Sequence, residues 1–191
     1  MDFEEGAGPD AGDSSGYGNN GTFSGLGVGW NASGHVGKAL VFDGIQGVVV
    51  IPDSPSLNPS LEISMEAWIY PTSLTGERII LNKESEYEIS LQSGVPAVAV
   101  QGVGPAAWYW LGGGAVVPVN TWSHVLGTYD GVTLRMFVNG VQTAMNVDGD
   151  GRIVRNTNPL SIGARGLQPG GNPAAWFAGS IDEVRIFARA K

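Results

Sequence analysis

The chain has 191 residues, 42% hydrophobic and 15% charged, a balance typical of a folded domain and unlike that of disordered segments. Eighteen acidic against ten basic residues give a net charge of −8, which repels a polyphosphate backbone and argues against nucleic acid as a partner. There is no cysteine, hence no disulfide or thiol chemistry, and no run approaches the ~20 apolar residues that span a bilayer, so membrane insertion is not expected.

Thirty glycines and eleven prolines separate short runs of Val, Ile, Phe and Trp, the pattern of a β-sandwich or barrel. Residues 1–36 are rich in Gly, Asn, Ser and Asp and read as a loop-rich lead-in wrapped onto the domain, with Phe3, Phe23, Leu26 and Trp30 as apolar anchors. Asp2, Glu4 and Glu5 stand where a signal peptide would carry basic residues, so the signal of a secreted parent would lie outside this sequence. A strand starts at Lys38 and runs through Phe42. Further on, Ile63, Met65, Ala67 and Ile69 alternate with Glu62, Ser64 and Glu66, and Tyr87, Ile89 and Leu91 alternate with Glu86, Glu88 and Ser90. Both segments are predicted as strands with one wet face, and the row Glu84, Glu86, Glu88 as a solvent face. Trp108 and Trp110 share one face of a loop-flanked strand. Between Trp122 and Thr143, Asp130-Gly131 and Asn139-Gly140 each fit a two-residue primed turn, giving three antiparallel strands in series. No helical periodicity competes, and such a meander needs two packed sheets to bury its apolar faces.

Six blocks carry a resemblance: Asp13 to Thr22, Ala39-Leu40-Val41-Phe42-Asp43-Gly44, Met65 to Pro71, Asn120 to Val125, Phe137-Val138-Asn139-Gly140, and Gly179 to Phe187. In this order they resemble the laminin-G-like and pentraxin-like family of the concanavalin A-like lectin/glucanase superfamily. The resemblance implies one all-β domain over residues 1–191, a concanavalin A-like jelly roll of two antiparallel sheets, cut from a larger protein. It is far less specific for function, because the fold hosts lectins, adhesion modules and hydrolases alike. The Glu-x-Asp-x-x-Glu strand of the hydrolases is missing, so no catalytic residue is assigned and the chain is not expected to be an enzyme.

Asp182 has the parity of Val184 and Ile186, so its carboxylate is expected to point inward, where an ionised acid needs a cation or several donors. The family resemblance implies a structural calcium held by Glu4, Gly44 (with Asp43) and Asp182; the alternative is pairing of Asp182 with an Arg or with backbone N–H groups. The stretch Asn146 to Gly151 mimics half of an EF-hand loop, but Thr157 stands where the bidentate Glu belongs, so a polar loop explains it more simply.

Trp68, Trp122 and Phe177 are expected in the core, and His124 in a hydrogen-bonded structural role; His35, in a glycine loop, carries no signal. Trp108 and Trp110, with Trp176 and Arg78, are the candidates for a glycan surface, because flat indole faces stack on sugar rings while polar groups order the hydroxyls. Packing between strands or against a neighbouring domain explains them equally well. The sequence therefore points to a non-catalytic carbohydrate-binding or adhesion module of a secreted or surface protein. Its expected partners are a glycan or an extracellular protein, besides the other domains of its parent. A protein-interaction or spacer domain is the alternative, and a glycoside hydrolase the last.

Overall fold

The computed structural model describes residues 1–103, 108–147 and 149–191. Among them run fifteen strands: β1 (Asp10–Ala11), β2 (Gly21–Ser24), β3 (Val28–Asn31), β4 (Ala39–Asp43), β5 (Val48–Ile51), β6 (Ile63–Pro71), β7 (Glu77–Lys83), β8 (Tyr87–Gln92), β9 (Val95–Gln101), β10 (Trp108–Gly112), β11 (Ser123–Tyr129), β12 (Leu134–Val138), β13 (Val141–Asn146), β14 (Leu160–Ile162) and β15 (Ala178–Phe187). The described residues hold no α-helix, only a short 3₁₀ turn at Pro55–Leu57. An eight-stranded sheet has the order β1-β2-β5-β14-β7-β8-β9-β10, and a seven-stranded sheet the order β13-β12-β11-β6-β15-β4-β3. The fold is the expected all-β jelly roll.

Alternation places the core. Ile63, Met65, Ala67 and Ile69 of β6 face Tyr87, Ile89 and Leu91 of β8 and Val98 and Val100 of β9, all of them buried. The sheets approach so closely that a Cβ on Gly127 of β11 would lie 2.5 Å from a methyl of Val98. The lead-in is more ordered than its composition suggests: β1 to β3 extend the two sheets at their edges, and Phe3 is fully buried while Phe23 and Trp30 pack on the core. Leu26 is not an anchor, being 92% exposed in the bend between β2 and β3.

The meander β11-β12-β13 forms as expected, and Asn139 and Gly140, both at positive φ, make the tight turn between Val138 and Val141. Asp130-Gly131, however, belongs to a four-residue loop from Tyr129 to Leu134. There the Asp130 carboxylate accepts the N–H groups of Val132 (3.0 Å) and Thr133 (2.7 Å), so a side-chain cap replaces the two-residue turn.

Candidate functional site

The outer face of the eight-stranded sheet is built by register. Trp110 of β10 lies opposite Ala99 of β9, which lies opposite Glu88 of β8, then Asn82 of β7 and Ser161 of β14. Trp108 lies beside Gln101, and Tyr109 between the two Trp residues turns inward, where its ring stacks on Tyr129. Trp108 and Trp110 therefore share the outer face of an edge strand, as expected, with ring centroids 5.6 Å apart and planes at 36°. Trp110 is 43% exposed. Ala97 and Ala99 beside them are small and covered, so the indoles stand above their neighbours.

The polar half of this face is not the solvent face that alternation predicts: Glu86 and Glu88 are buried. The segment from Gly163 to Phe177 folds over it as a hairpin closed by reciprocal backbone bonds between Arg165 and Ala174 (3.1 Å each), and Arg165 reaches down to the sheet. Its Nη2 donates to Glu88 Oε1 at 2.9 Å and also to Glu77, while Asn82 Nδ2 donates to Glu88 Oε2 at 2.9 Å. Burial pushes the Glu88 carboxyl up to about 7; Arg165 opposes this, but its charge is shared with Glu77, whose own charge raises Glu88 further. Glu86 is likewise pushed up by burial, although Lys83 Nζ donates to it at 2.6 Å and the Asn156 N–H at 2.6 Å. Long-range partners, 77 and 70 residues away, bind Glu88 and Glu86 in an acidic row that alternation alone assigns to water, and Glu86 Oε2 stays buried without a partner among the described residues.

Arg78 and Trp176 are joined to each other but not to this surface. Arg78 pairs with core-facing Leu91, and its guanidinium donates to the carbonyls of Trp176 (2.7 Å) and Gly44 (3.5 Å) and to Ser73 Oγ (3.2 Å). That spends it on bracing three loops. Trp176 keeps its ring half-buried beside this brace.

The four expected calcium ligands divide into two pairs. Asp43 Oδ1 accepts the N–H groups of Ile45 (2.8 Å), Gln46 (3.0 Å) and Gly47 (3.3 Å); burial opposes the charge, but these donors win and hold the carboxyl below its usual range. Gly44, next to it, offers its carbonyl to Arg78. Asp182 lies level with the other end of β4, four residues or about 13 Å of strand away. There it meets Glu4 across the turn Gly34–Lys38: Val36 N–H donates to Asp182 Oδ2 at 3.0 Å and Lys38 N–H to Glu4 Oε1 at 3.2 Å.

Asp182 also departs from its predicted parity. A β-bulge between Asp182 and Arg185 inserts Glu183, at φ 53°, so Val184 and Ile186 face the core while Asp182, opposite Trp68, faces outward. It is nevertheless fully buried, because the Gly34–Lys38 turn covers it, and burial raises its carboxyl despite the N–H groups of Val36 and Glu183. The described residues hold no cluster of three or more His, Cys, Asp or Glu suited to a metal. Of the EF-hand-like stretch, Asp148 lies outside the described residues.

Two expected core residues are not in the core. Trp68 and Trp122 lie on the outer face of the seven-stranded sheet and are partly exposed, since Ala67 and Ile69, and Ser123 and Val125, take the inner positions. His35 stacks on Trp68 with centroids 3.4 Å apart, and His124 sits 5.2 Å from the same indole. The signal was available: the alternation that buries Ala67 and Ile69 turns Trp68 outward. Phe177, by contrast, is buried edge-on to Phe42 as expected. A cavity of about 670 Å³ opens elsewhere, lined by Met1, Ile51, Leu57, Leu160, Ile162 and Val184 among others, and no expected site residue reaches it.

Comparison with known proteins agrees with this architecture. A laminin-G-like family model, described as the concanavalin A-like lectin/glucanases superfamily, matches residues 43–191. No curated protein sequence matches the chain. Among solved structures, domain 4 of AbnA, a GH43 extracellular arabinanase from Geobacillus stearothermophilus seen in complex with arabinotriose, is 26% identical, with a TM-score of 0.71. That match covers 93% of this chain and 86% of the domain. The binding domain of Paraclostridial Mosquitocidal Protein 1 (17% identity, TM-score 0.73) is similar over 94% of this chain and 46% of its own length. For the binding domain of botulinum neurotoxin DC in complex with SialylT the figures are 15% identity, a TM-score of 0.67, 94% and 45%. This chain thus spans less than half of each toxin domain, and at such identity those likenesses show the fold alone. Sheet order, core and sequence blocks converge, and the chain belongs to the concanavalin A-like lectin/glucanases superfamily.

Proposed function

We propose that the chain is a non-catalytic carbohydrate-binding module of a secreted or cell-surface protein, with Trp108 and Trp110 as its contact residues. The observation that carries this reading is the indole pair on the outer face of edge strand β10, Trp110 exposed and Trp108 partly exposed, tilted at 36° above a small-residue neighbour strand. Two such planes match consecutive rings of an oligosaccharide, whose C–H faces stack on indoles. The 26% likeness to an arabinanase domain caught with arabinotriose supports a glycan, with a pentose oligomer as the first candidate.

Glu77 and Glu88 converge on one Arg165 nitrogen, and a close carboxyl pair with one raised pKa is what a retaining glycosidase requires. Glu88, however, is 2% exposed with both oxygens bonded, which leaves it no path to a substrate. Its chemistry is that of a clamp for the overlying hairpin.

A structural calcium is part of the proposal. Glu4 and Asp182 would hold it at the Gly34–Lys38 turn, where a buried carboxyl pushed up by burial has charge to gain from a cation. Asp43 and Gly44 would take no part, lying about 13 Å of strand away at the other end of β4. Bound there, the ion would fix the turn.

Affinity electrophoresis through gels containing arabinan tests the glycan reading. The protein is expected to be retarded, and Trp108→Ala and Trp110→Ala to lose most of the retardation while keeping their melting temperatures. Retardation that both substitutions leave intact would remove the assignment, and migration unaffected by the polysaccharide would favour a protein partner.

A further inference from the structure

A second group of aromatic residues that the core does not use lies on the opposite side of the molecule from Trp108 and Trp110. Tyr70 and Trp68 of β6, His124 of β11 and Trp122 just before it point outward from the seven-stranded sheet, and His35 joins them from the Gly34–Lys38 turn. Both histidines of the chain are here. The rings form one connected group: His35 lies flat on Trp68 (3.4 Å, 10°) and edge-on to Trp122 (6.0 Å, 72°), and Tyr70 packs against Trp122 (5.5 Å, 57°). Trp68, Tyr70 and Trp122 are partly exposed and His35 is exposed.

Three properties separate this group from ordinary packing. Its polar edges are free: the indole N–H groups of Trp68 and Trp122 and the Tyr70 hydroxyl have no hydrogen-bond partner among the described residues, whereas the indole of Trp30 donates to the Gly8 carbonyl at 2.8 Å. Its geometry is imposed from beneath, because Asp182 holds the Val36 N–H at 3.0 Å and Glu4 the Lys38 N–H at 3.2 Å, which sets the turn that lays His35 on Trp68. Its footprint is small. Rings within about 6 Å of one another cover the area of one or two sugar rings, well below the roughly 800 Å² per partner of a stable protein interface. Beyond the rings the same sheet face turns to charged Glu66, Arg185 and Lys191, linked as ion pairs, which a docked protein would have to desolvate.

We infer that His35, Trp68, Tyr70 and Trp122 form a second sugar-binding platform, on the face opposite Trp108 and Trp110, so that one module holds two glycan segments at once. Apolar ring faces take the C–H face of a neutral sugar, and the free indole N–H and tyrosyl O–H groups take its hydroxyls. The inference rests on the glycan reading of the first site for its ligand class, but not for its residues.

Calorimetric titration with arabinotriose separates the two. The expected stoichiometry is two per chain, falling to one in Trp122→Ala with the Trp110 site unaffected, and to one in Trp110→Ala with the Trp122 site unaffected. His35→Ala, which removes an exposed ring from the Gly34–Lys38 turn, should weaken the second site at least about tenfold and serves if Trp122→Ala folds poorly. A stoichiometry of one that Trp110→Ala abolishes and neither Trp122→Ala nor His35→Ala changes would overturn the second platform and leave the first. A stoichiometry of one abolished only by Trp122→Ala or His35→Ala would overturn the two-site inference and the first assignment together. No heat from arabinotriose, confirmed by free migration in arabinan gels, would overturn both.

Discussion

Replacing Glu88 by Gln tests whether the buried carboxyl is a clamp or a working acid. In the folded protein its pKa stands at about 7, against an ordinary value of 4.5. A carboxyl whose pKa is raised by folding binds more protons in the native state, so stability falls as pH climbs from the unfolded value through the folded one. Integrating between these values, the wild type loses on the order of 2–3 kcal/mol from this group between pH 5 and pH 8. For a chain of this size that corresponds to about 5–10 °C in melting temperature. Gln keeps the shape and can still accept from Arg165 or Asn82, but it does not titrate. The difference in melting temperature between Glu88→Gln and wild type should therefore move in favour of the variant by about that amount from pH 5 to pH 8, and scanning calorimetry at four pH values reads it directly. The general slope left by Asp182 and Glu86, which burial also raises, cancels in this difference. A difference independent of pH would mean that folding does not raise the Glu88 carboxyl, and polysaccharide turnover lost in Glu88→Gln would mean that it works as an acid and not as a clamp.

Other perturbations read other parts of the structure. If Glu4 and Asp182 hold calcium, the wild type should melt higher with millimolar calcium than with a chelator, and Asp182→Asn should erase most of that difference; equal midpoints in the wild type would retire the ion. Lys83, fully buried 2.6 Å from Glu86 and 3.1 Å from Asp53, compensates two acids, so Lys83→Met should cost about 3–5 kcal/mol in denaturant unfolding at pH 7. That cost should shrink as pH falls and Glu86 takes up a proton. Gly127→Ala should cost about 1–3 kcal/mol, because its methyl would meet the side chain of Val98 across the core.

Much of the fold could be read from period-two alternation and turn residues. Ile63, Met65, Ala67 and Ile69 turn inward as written, Asn139-Gly140 forms its turn, and Trp108 and Trp110 share their face. What escaped was long-range or one residue out of step. Alternation reports which side of a sheet a residue takes and not what later covers that side, so Glu88 looks solvated until Arg165 arrives from another segment. A bulge carries no clear mark in Asp182-Glu183-Val184, yet one inserted residue reverses the parity of Asp182. Their place in the family-like blocks points Trp68 and Trp122 to the core, although their own strand parity turns them outward; parity is the stronger guide where the two conflict. The site was half legible: the Trp pair could be found, while Arg78, Gly44 and Asp43 serve loop bracing that only the folded chain brings together.

On the proposed reading, indoles on the outer faces of the sandwich contact the sugar. Two-dimensional NMR of the tryptophan indole N–H signals during addition of arabinotriose tests this most directly. Saturable shifts are expected at Trp108, Trp110 and Trp122, with little change at Trp30, whose indole is already bonded to Gly8, and no cleavage of the sugar over the titration. Indole signals that stay fixed while the sugar is bound elsewhere, or a trisaccharide broken down in the tube, would contradict that reading.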